Sequence, residues 1–193
     1  MGLEIKYGTG QTPINEDERG NLIPFWINTN EELNLVEQQN INKAIKFFSH
    51  KNLDCHKILS VYFLKSLHKK MFGEVWEWAG DFRTTDKNIG VTKTQIRSFL
   101  YQLLDDIIYW IDHKVFSPDT IAIRCKHRLV AIHPFVNGNG RHSRLFADLL
   151  IKSLGGDVFS WGATLQEARK KYLSSLREAD QYSYDALLQF ARS

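Results

Sequence analysis

The chain has 193 residues, of which 43% are hydrophobic and 24% charged, with a formal net charge of +3. That length suits one domain with a substantial core, and the apolar and charged fractions exclude wholesale disorder. The charge is too mild and too dispersed for a dedicated nucleic-acid binder, no apolar run reaches the roughly 20 residues of a membrane span, and two cysteines without CxxC spacing support neither a disulfide framework nor structural zinc.

The N-terminus lacks the basic-then-apolar layout of a signal peptide, so the expected compartment is the cytoplasm. Residues 1–28 carry Gly8, Gly10, Pro13, Gly20 and Pro24 in polar sequence and predict an irregular arm, with only 22–27 able to dock on a core. Thr29-Asn30-Glu31-Glu32 has capping-box form and opens a helix over about 31–49, with Leu33, Val36, Ile41, Ala44 and Phe48 at helical spacing. Glu31, Glu32 and Glu37 read as its solvated face. Asp54 caps a second predicted helix over 55–72, which Gly73 ends.

Trp76, Trp78, Gly80 and Gly90 then punctuate an irregular stretch to about residue 92, in which 83–91 reads as a loop or short hairpin. Thr92 or Thr94 opens a long helix ending near His113. Ser117-Pro118 places an N-cap before a proline at the first helical position, and that helix must stop before Pro134. Another begins around Gly140 or Arg141 and stops at Gly155-Gly156. Thr164-Leu165-Gln166-Glu167 is a second capping box for a helix to about Glu178, and 184–191 forms a last short one. The fold class is all-α, a bundle of six to eight helices.

Between two of these helices lies His133-Pro134-Phe135-Val136-Asn137-Gly138-Asn139-Gly140-Arg141-His142-Ser143-Arg144. Its loop empties into a helix N-terminus, where unpaired N–H groups and the positive end of the helix dipole favour an anion. Gly138 and Gly140 permit close backbone approach, and Asn139 can add an amide contact. Arg141 and Arg144, three apart, share one face of the first helical turn and supply charge-assisted hydrogen bonds. His133 can take a proton from a hydroxyl near neutral pH. A phosphate cradle beside a base is the chemistry this spacing points to.

The dodecapeptide resembles the signature of the Fic/Doc family, HxFx(D/E)GNGRxxR, at every specified position except the acidic one, where Asn137 stands. Upstream, 76–83 with Asn88-Ile89-Gly90-Val91 is similar to the family's target-docking flap, and 177–180 with 187–191 resembles the end of its domain. Thr12-Pro13, Leu22-Ile23-Pro24 and 31–34 are similar to the subgroup called mobile mystery protein B, compact bacterial proteins often paired with a helix-turn-helix partner.

The resemblance implies a Fic-type helical bundle with a short β-hairpin flap, a domain over 29–193 after the arm at 1–28, and transfer of AMP from ATP to a hydroxyl of a target protein. On that likeness His133 is the general base, while Pro134 and Phe135 shape and anchor the loop. Gly138, Asn139, Gly140, Arg141 and Arg144 bind the phosphates. Asn137 stands at the Mg²⁺ position, where an amide oxygen brings no formal charge and weakens metal binding. Thr84, Thr85, Asp86, Lys87, Asn88, Ile89, Gly90 and Val91 form the flap, whose backbone pairs with a target strand. The partners implied are a hydroxyl-bearing protein and a helix-turn-helix or antitoxin protein, with no nucleic acid and no membrane.

Transfer of another nucleotide or phosphate-containing group stays open, as does a catalytically weak nucleotide-binding member of a toxin-antitoxin pair. The family's inhibitory (S/T)xxxE(G/N) pattern is met only in part, by Ser174 with Glu178 and by Thr12 with Glu16. His68, His113, His127 and His142 read as surface or satisfied polar groups, and Trp76, Trp78 and Phe82 as packing.

Overall fold

The computed structural model describes residues 16–163 and 165–193. The Thr12-Pro13 likeness, the Thr12 half of the inhibitory pattern and the Thr164 start of the second capping box lie outside these residues. A single turn α1 (Glu16–Arg19) precedes α2 (Asn30–Ser49), whose first turn carries the expected box: Thr29 accepts from the Glu32 N–H, and the Glu32 carboxylate accepts from the N–H of Thr29 and Asn28.

The helix expected over 55–72 is two, α3 (Cys55–Ile58) and α4 (Val61–Phe72). Asp54 caps α3, but Leu59 leaves helical geometry at ψ 60 and the Ser60 hydroxyl starts α4 by accepting from the Phe63 N–H at 3.1 Å. A serine hydroxyl competes with the helix for backbone donors. The break lets Ile58 and Leu59 both turn inward while Tyr62 stays 81% exposed.

A 3₁₀ turn at Lys93–Gln95 leads into α5 (Ile96–Asp112), followed by α6 (Pro118–Ile132), capped by Ser117, and α7 (Asn139–Ser153). The last pair is α8 (Ala168–Ala179) and α9 (Asp185–Arg192). α8 starts later than expected, because Glu167 adopts φ +54 and serves as the N-cap in place of the third residue of a capping box. Among the described residues there is no strand ladder, only the isolated bridges Leu22 to Trp76 and Phe82 to Phe135. The flap is therefore a loop rather than a β-hairpin. No described helix is long and apolar enough to cross a membrane.

α6 and α7 pack along each other, α5 lies against α6, and α2 against α4. One apolar cluster contains Leu64, Leu67, Met71, Leu100, Leu103, Cys125, Leu129 and Phe146, while a second joins Ala122, Ile123, Ala147 and Ile151 to Phe159 and Leu187. α6 and α7 contribute to both clusters, so the loop between them hangs from two helices held on two sides. Of the arm, Leu22 and Ile27 dock as expected, with Ile23 N–H bonded to Val75 O at 2.9 Å. Phe25 and Trp26 do not, at 95% and 51% exposed.

Candidate functional site

His133 ends α6. Pro134 disfavours continued right-handed helix at the preceding residue, and His133 takes the left-handed conformation, φ 55 and ψ 59, with its N–H still bonded to Leu129 O at 3.1 Å. Such a backbone costs a non-glycine residue about 1 kcal/mol and persists only when its surroundings enforce it. Here Arg83 enforces it: its Nε donates to His133 O at 2.8 Å and its backbone N–H to Pro134 O at 3.0 Å. The imidazole is 5% exposed. Burial pushes its pKa down to about 4, with Arg83 and Lys87 adding to the shift and a hydrogen bond to the Val130 backbone opposing it. At neutral pH the ring is uncharged and able to accept a proton.

The loop beyond it is knotted to itself. Phe135 is fully buried against His68, with ring centroids 3.8 Å apart. The buried Asn139 side chain accepts from Phe135 N–H at 3.0 Å and donates to Phe135 O at 2.9 Å. Its amide is thereby spent on the loop, and only its backbone N–H remains to meet an anion. Gly138, the N-cap of α7, has φ +76, and a Cβ there would lie 2.6 Å from the Phe72 ring. Both facts require glycine. Gly140 is different: its φ is ordinary and a Cβ would meet nothing within 4 Å, so the space above this first helical turn is open. The Asn137 carboxamide oxygen accepts from Gly138 N–H at 2.5 Å. No cluster of three or more His, Cys, Asp or Glu able to hold a metal occurs among the described residues.

The two arginines are not equivalent. Arg141 lies over Phe72 and pairs with Glu37 at 2.6 Å, and the other Glu37 oxygen accepts from Trp76 Nε1 at 2.7 Å. Glu37 was expected in solvent and is 5% exposed; helical spacing from Leu33 and Ile41 places it beside the apolar stripe, and only the facing arginine and indole make it tolerable there. Arg144 rests over the Tyr172 ring, 5.6 Å from its centroid, and forms no ion pair among the described residues. Glu178, half of the partial inhibitory pattern, is exposed and does not reach it.

The flap is closed over His133 by one buried guanidinium. Arg83, 3% exposed, also donates to Thr85 O and Val91 O, and reaches the Asp86 carboxylate at 3.4 Å. Val91 N–H donates to Ile132 O at 3.3 Å, closing the far end. Glu18 of α1 holds the flap from outside through the Thr85 hydroxyl, at 2.9 Å, and Lys87. Gly90 has φ +94, and a Cβ there would stand 2.6 Å from His133 Cβ and 3.0 Å from Ile132 O. Gly90→Ala is expected to lower stability by roughly 2 kcal/mol or more through strain and overlap. A urea midpoint within error of wild type would remove that contact from the account.

Arg83, Glu37, His68 and Glu18 are the site residues that sequence reasoning did not single out. Arg83 closes the run 76–83 beside Phe82, but nothing in spacing showed that it would bond the His133 carbonyl. A separate open cleft of about 400 Å³ at the first turn of α6, lined by Arg124, Tyr182 and Tyr184 among others, contains none of the motif residues.

Residues 58–151 match the model of the Fic/DOC family. A Fido domain-containing protein of Dictyostelium discoideum is 39% identical over 66 residues, 34% of this chain and 44% of that protein. Protein adenylyltransferase fic-1 of Caenorhabditis elegans is 30% identical over 65% of this chain and 25% of its own length, and protein adenylyltransferase VbhT of Bartonella schoenbuchensis is 33% identical over 48% and 21%. The chain thus spans less than half the length of these relatives. Among solved structures, the BepC effector of Bartonella tribocorum with bound AMPPNP superposes with a TM-score of 0.70 at 20% identity, covering 92% of this chain and 97% of that one. That likeness is one of fold. With the matched segment spanning α4 to α7, the loop between α6 and α7 and the flap closed over it, this chain matches the Fic/DOC family over residues 58–151.

Proposed function

We propose that this chain transfers AMP from ATP to a hydroxyl of a protein target. The observation that carries the proposal is the placement of a buried, uncharged His133 at one end of the loop whose other end is the open N-terminal turn of α7. Relatives named protein adenylyltransferases support the choice of reaction. His133 would take the proton of the target hydroxyl as its oxygen attacks the α-phosphorus, and the bond to the β-phosphate would break with pyrophosphate leaving. The backbone N–H groups of Gly138, Asn139 and Gly140 would hold phosphate oxygens, joined by Arg144 and by the edge of Arg141 not used by Glu37. Flap residues 84–91 would present backbone to the target.

A Mg²⁺ ion fits the loop only as cargo of the nucleotide, because its single side-chain ligand there is the neutral Asn137 oxygen. When bound, the ion would offset phosphate charge. Asn137→Asp is expected to keep or raise transfer at low Mg²⁺; a variant that loses activity there would mean the position is not a metal ligand. The domain is taken as 29–193, with the preceding arm docked through Glu18 and Leu22, and a helix-turn-helix or antitoxin partner belongs to the proposal. Incubation with ATP labelled at the α- or γ-phosphate tests the reaction: the α label should appear on protein, whereas γ label alone would replace AMP transfer by phosphate transfer.

A further inference from the structure

His68 lies on α4, far from the motif in sequence, and is fully buried. Its Nδ1 accepts the Gly80 backbone N–H at 3.0 Å, and its Nε2 lies 3.0 Å from the Asn137 carbonyl oxygen. A backbone N–H is an obligatory donor, so Nδ1 carries no proton and Nε2 must hold the ring's single hydrogen. The tautomer is thereby set: Nε2 donates to Asn137 O. Stacking on Phe135 and the tilted Phe72 ring at 4.8 Å keep the imidazole from turning. Burial holds it uncharged, in agreement with one donor and one acceptor.

The Asn137 carbonyl belongs to the same peptide unit as the Gly138 N–H. In a trans peptide these groups point in opposite directions, and the described chain contains no cis bond. A donor that draws the carbonyl into the core therefore turns the Gly138 N–H outward, to the side where the Asn137 carboxamide oxygen now accepts it. That oxygen occupies an acceptor position at the mouth of α7. Were the peptide reversed, a carbonyl lone pair would face the same place and repel an anion.

We infer that His68 is a positioning residue for nucleotide binding: through the Asn137–Gly138 peptide plane it aims the first N–H of the phosphate cradle. The same ring ties that plane to Gly80, three residues before Arg83, so that cradle and flap share one support. The inference rests on the proposed phosphate site for its affinity readout and on the fold alone for its spectroscopic one.

Two variants of the full chain separate the roles. In His68→Gln the amide nitrogen can take the place of Nε2 and keep the donor to Asn137; in His68→Asn the carboxamide oxygen takes the place of Nδ1 and keeps only the Gly80 contact. In the ligand-free protein, exchange of the Gly138 amide should quicken about tenfold in the Asn variant and stay near wild type in the Gln variant. The dissociation constant for AMPPNP should rise about tenfold in the Asn variant and less than threefold in the Gln variant, with KM affected and kcat nearly unchanged. An unchanged Gly138 amide in the Asn variant, or equal effects of both variants, overturns the inference. If the Asn variant does not fold, the Gln variant still tests the inference, since tenfold weakened binding or a quickened Gly138 amide in it overturns the inference. Wild-type protein that fails to bind AMPPNP, with the Gly138 amide still displaced in the Asn variant, overturns the nucleotide proposal and leaves His68 in its role.

Discussion

His133→Ala is expected to lower transfer of α-labelled AMP by a factor of about 10² to 10⁴, the usual contribution of a general base, while the helical spectrum is kept. Residual labelling equal to wild type would remove His133 from the mechanism. The same variant carries a pH signature. The folded pKa of His133, about 4, lies below the 6.5 ordinary for a histidine. Between these values the unfolded chain binds more protons than the folded one, so the stability linked to this group is complete above pH 6.5 and is lost as pH falls toward 4. His133→Ala should therefore lose about 3 kcal/mol less than wild type on acidification across that window. His142, with its pKa also pushed down to about 4 chiefly by burial, remains in both proteins, so acid destabilisation is reduced rather than abolished. In the ligand-free protein the acid limb of the proposed activity should accordingly lie nearer pH 4 than 6.5.

Glu37→Ala should be the most destabilising single change around the site, by about 3 kcal/mol. The substitution leaves the Arg141 guanidinium without its carboxylate and the buried Trp76 Nε1 without an acceptor. Arg141 is one-third exposed, which moderates the electrostatic part, whereas the indole has no such relief. Glu37→Gln keeps an acceptor for Trp76 and should cost clearly less. Urea unfolding of the three proteins orders them; a Glu37→Ala midpoint equal to wild type would show that α2 does not brace Arg141. The assignment also separates the two motif arginines. Arg141 is held by a carboxylate that compensates part of its charge, and Arg144 forms no ion pair among the described residues.

Most helix positions were legible in the chain because their signals are local. Thr29, Asp54 and Ser117 each cap where their residue types indicate, and Pro134 stops α6. The misplaced boundaries arise where two local signals compete. Ser60 reads as an interior helical residue until its hydroxyl is given the Phe63 N–H, and Glu167 reads as the end of a capping box until its backbone turns left-handed. The flap was readable as a segment and not as a shape, because its order comes from distant partners: Arg83 on a carbonyl fifty residues away, Glu18 on Thr85 and Lys87, and the Val91 N–H on Ile132 O.

By itself, the sequence determined the helical class and the loop joining α6 to α7 with the motif residues it carries, since spacing, caps and glycine permissiveness act over a few neighbours. Only the tertiary structure decided what each of those residues does. It turned the Asn139 amide inward, spent half of Arg141 on a buried glutamate, left the space above Gly140 open, and gave His68 the orientation of a peptide plane. These outcomes depend on partners from α2, α4 and the flap that no local pattern pairs. A buried polar group is settled by whichever distant donor or acceptor the fold brings to it.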